Sequence, residues 1–309
     1  MPNSIFDARP LRDEKVAYAY VEAKIWPNGR VCPHCGVVDR SGALKGKSTR
    51  IGVYKCYTCR KPFTVKVGTI FESSHVKLHI WLQAMFLLCS SKKGMSTHQL
   101  HRTLGVTLKT AWFMTHRIRE AMREGKLPGG MGGEGKFVEA DETYIGGKAK
   151  NRAYAEKLPC HEPVVALVER KGRVASFHIP NVNASNLKPI LKEKIAPKSD
   201  LRTDESNLYT QIGKEFASHE TVNHSIKEYV RGDAHTNTVE GYFSILKRGI
   251  YGVYHHVSEQ HLKRYLCEFD FRYNERIALG VDDVERTNRA LRGIVGKRLT
   301  YRTTHRTGA

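Results

Sequence analysis

Three acids in this chain have types and spacings that could together hold hard divalent cations: Asp141, Asp204 and Glu240. Oxygen ligands of this kind suit such ions. Asp141 lies in the run 136–147, Lys-Phe-Val-Glu-Ala-Asp-Glu-Thr-Tyr-Ile-Gly-Gly, where Glu139, Asp141 and Thr143 share one face of a predicted strand, 137–145. Asp204 closes a second short strand, 201–204. Glu240 follows after thirty-five intervening residues, in a predicted helix from 236 to about 251. Val239, Phe243, Leu246 and Ile250 form the apolar stripe of that helix, and Glu240, Ser244, Lys247 and Tyr251 form another. Lys247 is seven positions beyond Glu240, about two turns on, so both project from one side. The residues alone leave rivals. Glu139 or Glu142 could replace Asp141, Asp204 could cap a helix beginning near Ser206, and Glu240 could simply be solvated, as most glutamates are.

A second constellation is built from thiols. Cys32 and Cys35 form one C-x-x-C knuckle and Cys56 and Cys59 another, with twenty residues between them. Four thiolates at this spacing bind tetrahedral zinc, and four cysteines leave no open position for chemistry, so the ion would be structural. The segments 50–56 and 61–67 read as strands entering and leaving the second knuckle, which is the pattern of a zinc ribbon. Cys89, Cys160 and Cys267 stand alone and receive no role.

The elements that must position these groups follow from the rest of the 309 residues, enough for two or three domains. Residues 1–75 form the expected zinc ribbon. Residues 76–125 form a helical module with predicted helices over 78–90, 96–104 and 107–122. A turn at Gly105 and Val106 between the last two gives a helix-turn-helix outline. Its recognition helix would present Lys109, Thr110, His116 and Arg117; a plain three-helix bundle fits the pattern as well. Six glycines and a proline crowd 125–135, and 126–135 reads as a flexible linker. From 136 to 275 the order is strand, a hairpin of strands at 163–169 and 173–179, helix (185–195), strand, helix (207–216), short strand (219–224) and helix. That order belongs to an α/β ribonuclease-H-like domain, to which 261–273 adds a further helix. Residues 276–309 read as a basic tail.

Lys and Arg number 51 against 31 Asp and Glu, a formal charge of +20 that favours a polyanion, with nucleic acid ahead of an anionic membrane. The most apolar run, 80–88, is too short to span a bilayer, and the first residues lack an apolar signal region; the expected location is cytoplasmic. In that compartment thiols stay reduced and suit metal rather than disulfides.

The block 235–252, His-Thr-Asn-Thr-Val-Glu-Gly-Tyr-Phe-Ser-Ile-Leu-Lys-Arg-Gly-Ile-Tyr-Gly, resembles the most specific block of bacterial insertion-sequence DDE transposases of the ISXO type. Asp-Glu-Thr-Tyr-Ile-Gly-Gly at 141–147, Arg-Thr-Asp-Glu at 202–205 and Phe-Arg-Tyr-Asn at 271–274 resemble their other blocks. The resemblance covers nearly the whole chain and implies a zinc ribbon joined to a DDE domain. It implies two Mg²⁺ or Mn²⁺ ions on Asp141, Asp204 and Glu240, cleavage at element ends, and strand transfer into double-stranded target DNA. Lys247 and Arg248 would contact end phosphates, and Lys148, Lys150 and Arg152 could clamp DNA from the loop after the first strand. The third acidic position varies within the family, which makes Asn237 a rival to Glu240. Pairing two ends implies at least a dimer, by analogy. A nuclease of the same fold, or a non-catalytic DNA-binding regulator, are the competing readings.

Overall fold

The computed structural model describes residues 5–125, 130–146, 161–222, 233 and 235–300. Lys148, Lys150 and Arg152 lie outside the described residues, as does the expected end of the fifth strand at His224. The chain divides into two compact units, one from Met1–Arg123 with Asp282–Ala309, the other from Glu124–Val281.

The first unit opens with a helix that the sequence reading did not anticipate, α1 (Glu14–Ile25), capped by the Asp13 carboxylate accepting the Val16 amide. Three short strands, β1 (Ser41–Ala43), β2 (Tyr54–Cys56) and β3 (Pro62–Phe63), then form an antiparallel sheet in chain order. The helices α2 (Leu78–Ser90), α3 (Thr97–Leu104) and α4 (Leu108–Met122) follow close to expectation. Gly105 sits in the left-handed region, φ 65°, and so ends α3 and starts the three-residue turn into α4. Where α2 lacks a cap of its own at Lys77, Glu14 reaches across from α1 and accepts the amides of Leu78 and His79 at 2.8 and 3.1 Å.

Two expectations are corrected. Of the expected basic tail, 276–281 belong to the second unit, and the described residues from Asp282 on belong to this one, where α9 (Asp283–Arg292) packs on α1, α2 and α4. Arg286 donates to the Cys89 carbonyl at 3.0 Å, and Gly296 donates to the Gly68 carbonyl at 2.9 Å. Arg117 does not face outwards from α4. It is 5% exposed, and its guanidinium donates to the carbonyls of Ile70, Glu72 and Leu299. His116 is buried beside it, its ring 4.2 Å from that of Trp112. Lys109, at the start of α4, is exposed.

The second unit holds a five-stranded sheet: β4 (Phe137–Ile145), β5 (Glu162–Glu169), β6 (Val174–His178), β7 (Asp200–Asp204) and β8 (Ser218–Val222), in the order β6-β5-β4-β7-β8. β5 pairs antiparallel with both β4 and β6, and β7 runs parallel to β4 and β8. The near-continuous apolar run of β5 is buried on both faces. Val164, Ala166 and Val168 pack under α7 (Asn237–Gly249) and α8 (Glu259–Asn274). Val165 and Leu167 pack against α5 (Ala184–Lys194) and α6 (Asn207–Gly213). This is the ribonuclease-H-like mixed sheet that the element order implied.

The end of the expected linker belongs to this unit. Met131 is 2% exposed and bridges Ile195, exchanging backbone bonds with Lys194 and Ala196. Gly132 adopts φ +83°, and a Cβ there would come within 3 Å of the Ser199 and Val138 side chains, a position that only glycine fills without strain. Among the described residues no helix is long and apolar enough to cross a membrane.

Candidate active site and zinc centre

Asp141 and Asp204 come from neighbouring parallel strands. The ladder pairs Phe137 with Asp200 and Glu139 with Arg202, so two residues further on Asp141 stands level with Asp204 at the end of β7. Glu240 lies in the first turn of α7, exposed, with its Oε1 accepting the Thr236 hydroxyl at 3.0 Å. Asn237, three residues earlier, is also exposed at the start of α7. Burial pushes the Asp141 carboxyl up to about 7, against the Glu142 amide that donates to it; the charges of Glu142, Asp204 and Glu240 push it further in the same direction. All three acids therefore share one electrostatic site.

Such a site fits divalent cations: carboxylates that resist ionising beside one another are stabilised together by a cation. Among the described residues, the ligand atoms of two groups fall within 4.8 Å of one another: the four ribbon cysteines, and Glu162 with His178 and Glu259. The ligand atoms of Asp141, Asp204 and Glu240 do not all fall within that distance of one another. In the Glu162 group, His178 Nε2 already pairs with Glu162 at 2.6 Å.

The rival acids have other engagements. Glu139 is fully buried, and its carboxylate accepts the amides of Thr238 and Val239 at 2.8 and 3.0 Å, the Thr238 hydroxyl at 2.9 Å and Arg170 Nε at 2.6 Å. Its oxygens are occupied. Glu142 accepts the Tyr209 hydroxyl at 2.6 Å, and burial followed by the Asp204 charge raises its carboxyl. Asp204 is not the cap of α6; Ser206 is, while Asp204 accepts the Ser206 amide at 3.1 Å.

A buried group that the sequence reading missed fixes the body of α7. Asp270 on α8 accepts the Tyr242 hydroxyl at 2.6 Å and the Ser176 amide at 2.9 Å, tying α7 and β6 to α8; burial pushes its carboxyl up to about 7. The polar residue at 270 amid apolar neighbours of α8 was the available signal. Of the basic candidates, Lys247 is half-buried on α7, and Arg248 is exposed with its guanidinium turned back onto Ser244 at 2.7 Å.

The thiols converge as their spacing implied. Cys32 and Cys59 sulfurs are 3.7 Å apart, as are those of Cys35 and Cys56. A tetrahedron with zinc–sulfur arms of about 2.3 Å has edges of about 3.8 Å, so the four fit zinc closely. The amides of Cys59 and Thr58 hold the Cys56 thiol down to about 6, whereas Cys35, against the Val37 amide, is pushed up to about 12 by burial and the neighbouring thiols.

Comparison with known families covers the regions of both centres. The ISXO2-like transposase domain matches residues 131–274, and the transposase zinc-ribbon domain matches residues 12–62. The chain thus joins a transposase zinc-ribbon domain to an ISXO2-like transposase domain. A Halobacterium salinarum protein described as an uncharacterized protein in transposable element ISH50 is 29% identical over 270 residues, covering 80% of this chain and 86% of its own. A Haemophilus influenzae protein described as an uncharacterized transposase-like protein is 28% identical over 104 residues, 34% of this chain and 83% of its own. A chain of a simian T-cell lymphotropic virus intasome solved with a PP2A regulatory subunit is 18% identical over 55% of this chain and 63% of its own. Its TM-score is 0.29, too distant a likeness to bear on fold or function. The transposase domain starts at Met131, inside what had read as linker and where the structure begins the second unit's packing.

Proposed function

We propose that this protein is a DDE transposase that cuts phosphodiesters at the ends of an insertion sequence and joins the freed 3′-hydroxyls to target DNA. The observation that carries the reading is the meeting of Asp141, Asp204 and Glu240, from two parallel strands and one helix, inside an ISXO2-like transposase domain. Two Mg²⁺ or Mn²⁺ ions held there would activate the attacking oxygen and offset leaving-group charge. Asp141 and Asp204 hold their positions from rigid strands, and Glu240 closes the site from α7. Lys247, two turns along α7, would take a phosphate of the DNA end. Lys148, Lys150 and Arg248 are further candidates for phosphate contact, and Lys109 is the exposed basic residue of α4 for a groove. Holding two ends at once calls for at least two copies of the chain.

The test is incubation of the protein with its own flanking DNA and Mg²⁺. Joined products support the reading; cleavage without joining points to a nuclease, and binding without cleavage to a regulator. The +20 charge should make DNA affinity fall steeply with salt, by roughly 10³-fold or more between 50 and 200 mM if six or more phosphates are neutralised. A flat salt dependence in a filter-binding or anisotropy titration would count against DNA as the partner.

Arg117 should behave differently from Lys109. Replacing Arg117 by Ala leaves the Ile70 and Glu72 carbonyls without their donor and should cost about 1–3 kcal/mol in thermal or urea unfolding. The salt slope of DNA binding should stay as in the parent. Lys109→Ala should reduce that slope by about 1 with stability unchanged.

A further inference from the structure

We propose that Glu139 is a positioning residue that clamps the start of α7 to β4 and thereby sets where Glu240 stands relative to Asp141. The inference rests on the DDE reading above and names a part of that site which no comparison assigns.

The first turn of an α-helix leaves its amides without intrahelical acceptors. In α7 the side chain of Thr236, at the cap position, makes no bond to them. The acceptor comes from another element instead. Glu139 Oε2 takes the amides of Thr238 and Val239, and Oε1 takes the Thr238 hydroxyl, so one carboxylate caps the helix at its positive end. Arg170 neutralises that carboxylate at 2.6 Å and donates to the His235 carbonyl at 2.9 Å, which fixes the approach to the helix as well.

The clamp lies within two residues of a metal-site acid on both elements. Glu139 and Asp141 are alternate residues on one strand face, about 6.6 Å apart along β4. Thr238 and Glu240 are two residues apart on α7, about 3 Å along its axis. Beyond the far end of α7, Tyr251 in the turn that follows it donates to the carbonyl of Gly146, the residue after β4, at 3.1 Å. The two ties bracket Asp141, and the Glu139 tie is much the nearer to Glu240. Loosening it shifts or frays the turn that carries the third acid while leaving β4 and β7 in place. This explains why an acid that looks like a spare ligand in sequence is fully buried and has no oxygen left for a metal.

The test compares Glu139→Gln and Thr238→Val with the full-length parent chain. Glu139→Gln keeps the volume and removes the charge. Mn²⁺ affinity, read by electron paramagnetic resonance, and cleavage should each fall by roughly 10–100-fold, the usual effect of losing a group that orients a ligand. DNA affinity should be unchanged, and amide exchange at Thr238–Glu240 should accelerate. Thr238→Val removes one of the clamp's bonds and should weaken Mn²⁺ binding by roughly threefold. Parental Mn²⁺ affinity in a folded Glu139→Gln chain overturns the proposal. If Glu139→Gln does not fold, Thr238→Val decides: weakened Mn²⁺ binding supports the clamp, and parental binding overturns it. If the parent itself neither binds Mn²⁺ nor cleaves, the DDE reading has failed separately. The clamp is then judged on amide exchange alone, where parental rates at Thr238–Glu240 in either variant overturn it.

Discussion

Asp141→Asn should destroy cleavage and, at the same time, stabilise the protein. The loss should be roughly 10³-fold or more in rate, because removing one member of a cooperating set disables the whole. Asp204→Asn and Glu240→Gln should lose as much, and combining them should add little. The gain in stability follows from the raised carboxyl. In the folded chain without added divalent ions Asp141 holds its proton up to about 7, whereas its ordinary value is 3.8. Between those values the unfolded chain has released a proton that the folded chain still binds, so stability falls as pH rises through that window. At pH 8 the penalty is at most about 4 kcal/mol, reduced because the neighbouring acids titrate with it. Asn carries no such penalty. The melting temperature of Asp141→Asn should exceed the parent's by several degrees at pH 8 and match it near pH 4. Equal melting temperatures at both pH values would contradict the buried, crowded carboxyl. Full cleavage by both Asp141→Asn and Asp204→Asn would end the two-metal reading. Asn237→Ala is the companion experiment: should it lose cleavage while Glu240→Gln keeps it, the third ligand is Asn237.

Cys56→Ser should remove the zinc. The parent should contain about one zinc per chain by metal analysis and the variant close to none. Folding and metal binding are coupled in such modules, and the loss can reach on the order of 10 kcal/mol. Its reach should be local. β1, β2 and β3 have little apolar core of their own: buried Cys32, Cys56 and Phe63 with Trp26, Tyr54 and a few partly buried neighbours. Amide protection should vanish across Cys32–Phe63, while α2 and α4, which pack on α9, and the whole second unit retain theirs. A zinc-free variant with parental protection in that stretch would show that the cysteines are not a structural site.

The ribbon was legible because cysteine spacing is itself the constraint, and the sheet because Glu139, Asp141 and Thr143 recur at period two in β4 and 163–168 of β5 are apolar. The boundaries of most elements of the second unit lie within one to three residues of expectation for the same reason. What stayed hidden depended on partners distant in sequence. Glu139 and Asp141 are both acids on one strand face, and period two cannot rank them; only the arrival of Thr238 and Val239, a hundred residues later, makes one a clamp. Arg117 reads as a basic surface residue until the carbonyls of Ile70 and Leu299 are brought to it. α9 looks like a tail because its ten residues are mostly polar and charged, and the face it covers is nearly two hundred residues upstream. The glycines at 130–135 look like slack chain, yet Gly132 is there for a close contact.

The return of α9 to the first unit also fixes an order of events during synthesis. The ribbon and its helices emerge first but cannot be completed until Asp283–Arg292 has left the ribosome, after all 158 residues of Glu124–Val281. At typical elongation rates that is on the order of ten seconds. Through that interval the nascent protein holds every acid of the catalytic unit while the α2 surface that α9 covers is still open. A late nonsense or frameshift lesion, just past Val281, would make this state permanent: a product with intact carboxylates and an unfinished first unit, exposed to aggregation and proteolysis.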